Sequence, residues 1–166
     1  MNYERRNTAR SVEFIRSINA ECLSGPNAKI LSHLYFIDPQ CVCYLAPCPD
    51  TNIQNCSIRL IYTEPQFRKL GKCSSLLDDL IFKADEFNIS LTLSVRPFEF
   101  DNRFDENDLF NRLWAMGIPE DSWVFNTNPT VIENLRKFYY RFGFHPWRKT
   151  LFNSNSDPVL IKLPDN

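Results

Sequence analysis

The hydrophobic positions of this chain recur with two periods, and the change of period predicts where its helices and strands lie. An apolar stripe from Cys73 to Ala84 recurs at helical spacing and predicts a helix over residues 72–86. Similar stripes predict further helices over residues 8–23, 106–116 and 130–143. The last of these begins at Thr130, which has capping-box spacing to Glu133, and ends at Gly143.

Alternating apolar and polar positions predict the strands. They lie over residues 41–46, 58–62, 89–95, 144–152 and 158–163, with a further strand in the later half of 29–37. The strand, helix and strand between positions 58 and 95 form a βαβ unit, which is expected to be parallel and right-handed. The pattern therefore predicts a single α/β domain over residues 1–166, with an insertion at about 96–129.

Composition excludes several classes of protein. A net charge of −1 over 166 residues argues against binding nucleic acid through a basic face. No run approaches the roughly 20 apolar residues that span a membrane, and no apolar segment follows the first residues as a secretory signal would require. We therefore expect a cytoplasmic protein without membrane association.

The six cysteines are expected to be free thiols in such a protein. Four of them lie between positions 41 and 56, but their spacing lacks the paired C-x-x-C of common zinc sites. Cys41 and Cys43 share one face of a predicted strand, where buried thiols behave as small hydrophobic groups. No metal site is predicted.

The join between strand 58–62 and helix 72–86 is a candidate anion site. The first turn of a helix has backbone N–H groups without partners, and its dipole favours an anion. Gly71 allows close approach to the backbone, and Arg68, Lys69 and Lys72 add positive charge. A surface loop with solvated basic residues is the alternative interpretation.

Two motifs in the chain resemble the GNAT superfamily of N-acetyltransferases. The segment Arg68-Lys69-Leu70-Gly71-Lys72-Cys73 resembles the Q/R-x-x-G-x-G/A pyrophosphate loop, with Cys73 where the family has Gly or Ala. The helix ending in Phe138-Tyr139-Tyr140-Arg141-Phe142-Gly143-Phe144 is similar to the family's aromatic-Tyr-x-x-x-Gly-Phe pattern. The chain carries Ile132 where the family has asparagine.

The resemblance implies a mixed central sheet flanked by helices, with acetyl-CoA as cosubstrate in a wedge between strands 58–63 and 89–95. It implies that the residues that bind the cofactor are Ile61, Tyr62, Thr63, Arg68, Lys69, Leu70, Gly71, Lys72, Cys73 and Ser74. Tyr139 is implied as general acid for the departing thiolate, while a core aromatic residue is the alternative. Dimers are common in the family.

The acceptor implied by the resemblance is a primary amine of a small molecule or protein, which attacks the thioester directly. Its base is unassigned: Glu64, Glu99 and a chain of waters are candidates. The acidic residues of the insertion could attract a cationic amine, or they form a solvated loop; they are Glu99, Asp101, Asp105, Glu106 and Asp108. The alternative function is a non-catalytic module that binds coenzyme A or another protein.

Overall fold

The computed structural model describes residues 3–18, 21–22, 33–38, 41–47, 55–63, 65–99, 124–147 and 159–165. Its helices are α1 (Tyr3–Ser17), α2 (Lys72–Glu86) and α3 (Pro129–Tyr140). Its strands are β1 (Glu21–Cys22), β2 (His33–Asp38), β3 (Cys41–Pro47), β4 (Asn55–Thr63), β5 (Ser90–Ser94), β6 (Phe98–Glu99), β7 (Val124–Phe125), β8 (His145–Pro146) and β9 (Val159–Lys162). The predicted helix over 106–116 lies outside the described residues.

Seven of the strands in the described residues form one mixed sheet in the order β1-β2-β3-β4-β5-β9-β8. Strands β4 and β5 run parallel and are joined through α2, as the predicted βαβ unit requires, whereas the other neighbouring pairs are antiparallel. This arrangement confirms the α/β class, with a mixed central sheet flanked by helices. Strands β6 and β7 pair separately, with Phe98 opposite Phe125 and Glu99 opposite Val124, at the two ends of the segment predicted to be an insertion.

Helix α2 has the bounds that its apolar stripe predicts. Its buried side chains are Leu76, Leu77, Leu80 and Ala84, which belong to the hydrophobic core. The helix ends where the backbone N–H of Phe87 donates to the carbonyl of Lys83 at 3.2 Å. Burial of one continuous stripe explains why periodicity alone predicted this element correctly.

The prediction for the first helix is wrong at both ends. Helix α1 begins at Tyr3 and ends at Ser17, where the hydroxyl of Ser17 donates to the carbonyl of Phe14 at 2.7 Å. Phe14, rather than Val12, is fully buried with Ile15, and its ring meets the ring of Phe87 edge-on at 6.0 Å between centroids. The apolar residue at position 22, which extended the predicted stripe, belongs to β1 instead.

Burial of the thiols follows the strand register. Cys41 and Cys43 of β3 and Cys56 of β4 are buried in the core, so the prediction that the first two share a buried face is confirmed. The thiol of Cys41 lies 3.2 Å from the hydroxyl oxygen of Thr63 on the neighbouring strand. These three thiols and that of Cys73 are reduced and not joined in disulfides.

Helix α3 is capped by a residue that the sequence analysis did not choose. The side-chain oxygen of Asn128 accepts a hydrogen bond from the backbone N–H of Thr130 at 2.9 Å, with Pro129 as the first helical residue. The predicted capping box with Thr130 as N-cap is therefore wrong. The helix ends at Tyr140, and Gly143 adopts a left-handed φ of 81° in the turn that follows.

We expect Asn128→Ala to destabilise the protein by about 1 kcal/mol, since it removes the cap of α3. Asn128→Asp retains an acceptor at the same position and should stay close to wild type. Urea unfolding of the three proteins measures the difference. Equal stability of Asn128→Ala and wild type would contradict the capping role.

Candidate functional site

A β-bulge in β4 opens the sheet at one point. Tyr44 lies opposite Leu60 and Leu45 lies opposite Ile58, so Arg59 is an extra residue on β4 with no counterpart on β3. A bulge of this kind bends its strand and increases the local twist. The course of β4 therefore changes at Arg59.

The parallel ladder between β4 and β5 ends at the bulge. Its last pair is Ile58 opposite Leu93, whereas β4 continues along β3 as far as Thr63. The two parallel strands thus separate beyond Ile58, as the GNAT resemblance led us to expect. A wedge-shaped space opens between them.

This space is a cleft of about 530 Å³. That volume is within the range of sites for small ligands. The lining residues are Ile58, Arg59, Leu60, Ile61, Tyr62, Thr63, Arg68, Leu93, Ser94, Arg96, Pro97, Val131, Leu135 and Tyr139. One wall therefore comes from β4, another from the end of β5, and a third from one side of α3.

The loop between β4 and α2 holds two residues with left-handed backbone. Lys69 has a φ of 63°, and Gly71, the N-cap of α2, has a φ of 77°. A Cβ on Gly71 would have no atom within 4 Å, so there is open space above the first turn of the helix. The helix begins with the backbone N–H of Ser75 donating to the carbonyl of Gly71 at 2.9 Å.

The charge of this loop is positive. Arg68 and Lys69 are exposed, Lys72 is half-buried, and the first turn of α2 has no acidic residue. The partial positive charge of the helix N-terminus adds to these cations. Open space, left-handed glycine and positive charge give this loop the physical properties of an anion site.

Arg68 connects the loop to the cleft. Its Nε donates to the backbone carbonyl of Thr63 at 3.1 Å, and its guanidinium carbon lies 5.8 Å from the centroid of the Tyr62 ring. The side chain therefore folds back over the end of β4. This contact places a positive charge where the cleft meets the loop.

Tyr139 is both a core residue and a lining residue of the cleft. It is 8% exposed, and its ring meets those of Phe138 and Phe144 edge-on at 5.4 and 5.9 Å between centroids. Burial raises the pKa of its hydroxyl far above the usual value, and the nearby thiols of Cys73 and Cys43 raise this pKa further. The hydroxyl is therefore protonated at neutral pH and can donate a hydrogen bond.

Cys73 occupies the second position of α2 and packs against the core. Burial raises the pKa of its thiol to about 12, with a smaller contribution from Cys41. Burial also raises the pKa of Cys43 well above its usual range. Both thiols are thus neutral and unreactive at physiological pH.

These thiols should make the fold sensitive to alkali. The unfolded chain loses thiol protons above about pH 8.5 while the folded chain keeps them, so stability falls as pH rises. For Cys73 alone the loss is about 2 kcal/mol between pH 9 and 10.5. Urea unfolding across this range should show a shallower decline for Cys73→Ala than for wild type. Parallel declines would contradict the raised pKa of Cys73.

The structure brings part of the predicted site together. Ile61, Tyr62, Thr63, Arg68 and Tyr139 line one cleft. The other predicted residues lie in the adjoining loop and first turn of α2; they are Lys69, Leu70, Gly71, Lys72, Cys73 and Ser74.

Sequence reasoning did not single out nine of the lining residues, among them Arg59, Arg96, Val131 and Leu135. The positions on α3 recur at helical spacing and share a face with Tyr139, which was an available signal. For the arginines no comparable signal existed, because the bulge depends on pairing with β3. Among the candidate bases, Glu64 lies outside the described residues, and Glu99 contributes backbone pairing in β6.

Two other classes of site were searched for in the described parts of the chain. Within those ranges, no group of three or more His, Cys, Asp or Glu side chains is arranged to hold a metal ion. None of the helices described is both long and apolar enough to cross a membrane.

Comparison with known proteins finds a distant structural likeness. Neither protein-family models nor curated proteins match the sequence. Among solved structures, the chain is similar to the crystal structure of an aminoglycoside 6'-N-acetyltransferase complexed with coenzyme A, at 16% sequence identity. The similarity covers 84% of this chain and 77% of that chain, with a TM-score of 0.46. A likeness this distant assigns no function.

Proposed function

We propose that the protein is an acetyl-CoA-dependent N-acetyltransferase that acts on a primary amine. The observation that carries the proposal is the cleft that opens at the Arg59 bulge. It reaches the basic loop before α2 through Arg68 and is lined by Tyr139. A basic loop alone, or a buried tyrosine alone, would not indicate a transferase. A cleft that has both suits a ligand with an anionic end and a reactive arm.

The residues present fit acetyl-CoA in size and chemistry. The space above Gly71 leaves room for a pyrophosphate, and the backbone N–H groups of the first turn of α2 can donate to it. Cys73, the departure from the family pattern, packs against the core, so its side chain does not obstruct the loop. The backbone of residues 61–63 of β4 provides an extended edge along which a pantetheine arm can lie.

In the proposed reaction, the amine attacks the thioester carbonyl, the new C–N bond forms, and the C–S bond breaks. Tyr139 donates a hydrogen bond to the departing sulfur and passes its proton to the thiolate as the C–S bond breaks. The amine loses one proton to solvent or a base, and Tyr139 regains its own from solvent. Positioning of both reactants in the cleft supplies much of the rate acceleration.

Thermal unfolding with and without acetyl-CoA tests the proposal. At 100 times its dissociation constant, acetyl-CoA should stabilise the wild type by roughly 2.7 kcal/mol. Arg68→Ala should weaken the effect. Lys83→Ala is the matched control, because it removes one positive charge from the far end of α2, where Lys83 pairs with Glu86 at 2.8 Å.

Thiol release in the presence of a panel of primary amines then separates the two functional hypotheses. Turnover with any amine supports the transferase. Binding of acetyl-CoA without turnover on any amine would favour the non-catalytic module. No stabilisation of the wild type at saturating acetyl-CoA would refute the transferase and leave a module that binds another protein.

A further inference from the structure

Two arginines flank the point where β4 and β5 separate. Arg59 is the bulged residue, one position beyond the last ladder residue Ile58, and it lines the cleft. Arg96 follows the end of β5 and lines the cleft from the other strand. The backbone N–H of Arg96 donates to the carbonyl of Ser94 at 3.0 Å, which turns the chain tightly at this level.

The cleft therefore has positive charge at two separate places. Arg68 lies at the loop end, beside Thr63. Arg59 precedes Thr63 by four residues, which is about 13 Å along an extended strand. Among the described lining residues the only charged side chains are Arg59, Arg68 and Arg96, so the wall of the cleft carries no described carboxylate.

The two positive regions of the cleft can bind two different substrates. Under the proposed function, the loop and Arg68 bind the phosphates of the cosubstrate. Its acetyl group then lies away from the loop, towards the end of the cleft bordered by Arg59 and Arg96. The amine must approach that same end to reach the thioester.

We propose that Arg59 and Arg96 bind an anionic group, a carboxylate or a phosphate, on the amine acceptor. This inference rests on the proposed function and names the class of its substrate. A guanidinium pairs with either anion through two parallel hydrogen bonds. A polycationic acceptor would be repelled by the same two side chains.

The pair of arginines also favours the reactive form of the amine. A nearby positive charge lowers the pKa of an ammonium group and so increases the fraction of neutral amine. An acceptor with its own anionic group is held by the arginines, while its amine lies close enough to lose its proton more readily. Both arginines also interact elsewhere in the protein, and each guanidinium has five N–H donors, so a second partner can be bound.

Matched pairs of acceptors test this inference. β-Alanine is compared with β-alaninamide, and O-phosphoethanolamine with ethanolamine, so that each pair differs by one anionic group and the two pairs distinguish carboxylate from phosphate. We expect kcat/KM to be at least about tenfold higher for the anionic member of one pair. Arg59→Gln and Arg96→Gln should each remove most of this preference and leave the KM for acetyl-CoA unchanged.

Two controls make the test specific. Lys137→Gln removes one positive charge from an exposed position on α3 and should keep the preference for the anionic acceptor. Arg59→Lys keeps the charge at the bulge and should retain part of the preference even if Arg59→Gln folds poorly. Binding of both anionic acceptors is also measured by calorimetry with coenzyme A present, which does not depend on turnover.

The outcomes distinguish this inference from the function on which it rests. Equal or better use of the neutral amines would overturn the inference and leave the transferase intact. An increase in the KM for acetyl-CoA in Arg59→Gln and Arg96→Gln would also overturn it, because these arginines would then serve the cosubstrate. If acetyl-CoA neither binds nor is consumed, the proposed function fails and the inference fails with it.

Discussion

Gly71→Asp is expected to weaken acetyl-CoA binding by about a hundredfold or more and to leave the protein folded. A side chain at this position projects into open space, where the proposed pyrophosphate lies, and a carboxylate there would repel it by several kcal/mol. The fold itself loses only about 1–2 kcal/mol, since the cost is that of a left-handed residue other than glycine. Calorimetric titration with acetyl-CoA and urea unfolding measure the two effects.

Gly71→Asn separates charge from volume in this experiment. Asparagine has nearly the same size and the same tolerance of left-handed backbone, but it carries no charge. It should therefore bind acetyl-CoA more tightly than Gly71→Asp. Gly143→Ala is the opposite control: its Cβ would lie 3.1 Å from the Cε of Lys162, so stability should fall while affinity is retained. Wild-type affinity in Gly71→Asp would refute the anion site.

Tyr139→Phe is expected to lower kcat by about a hundredfold, which is the usual contribution of one general acid. The affinity for acetyl-CoA should change little, because the ring remains packed between Phe138 and Phe144. Steady-state kinetics with a primary amine, together with direct binding of acetyl-CoA, measure the two quantities. The wild type should show no loss of kcat from tyrosine ionisation below about pH 10, since the pKa of Tyr139 is raised above its usual value.

Tyr140→Phe is the matched control for this variant. Tyr140 is the next residue on α3, but it is exposed, and its ring lies 5.8 Å from the guanidinium carbon of Arg136. Removal of its hydroxyl should leave kcat at the wild-type value. Equal kcat in Tyr139→Phe and wild type would show that the thiolate leaves without a proton from this residue.

Sequence reasoning succeeded for elements whose burial pattern appears directly as a local periodicity of apolar residues. Helix α2 buries one stripe and has its predicted bounds, because the stripe is a local property. Strand β9 was found for the same reason, at Val159–Lys162 within the predicted 158–163. Helix α1 was predicted wrongly because its stripe is short and an apolar residue of β1 extended the apparent period.

Some residues of the candidate site could likewise be predicted from the local sequence, and others could not. The basic loop and Tyr139 were visible from residue order alone, since a strand, a glycine turn and a helix follow one another directly. The arginines of the cleft could not be identified from the sequence, because they line one cleft only when β4 and β5 are aligned in three dimensions. Asn128 was overlooked as the cap of α3, since Thr130 and Glu133 offered a competing pattern two residues later.

The bulge at Arg59 also limits how the chain can vary during evolution. Cys56 and Ile58 face the same side of the sheet as Ile61, since they pair with Pro47, Leu45 and Cys43 on β3. Ile58 and Ile61 are three positions apart, so they share this side only because the bulged residue Arg59 interrupts the alternation of sides along β4. Substitution of Arg59 would alter the proposed preference for an anionic acceptor, whereas deletion would shift every later residue of β4 to the opposite side. The fold therefore requires a residue at this position, and the proposed acceptor preference depends on which residue it is.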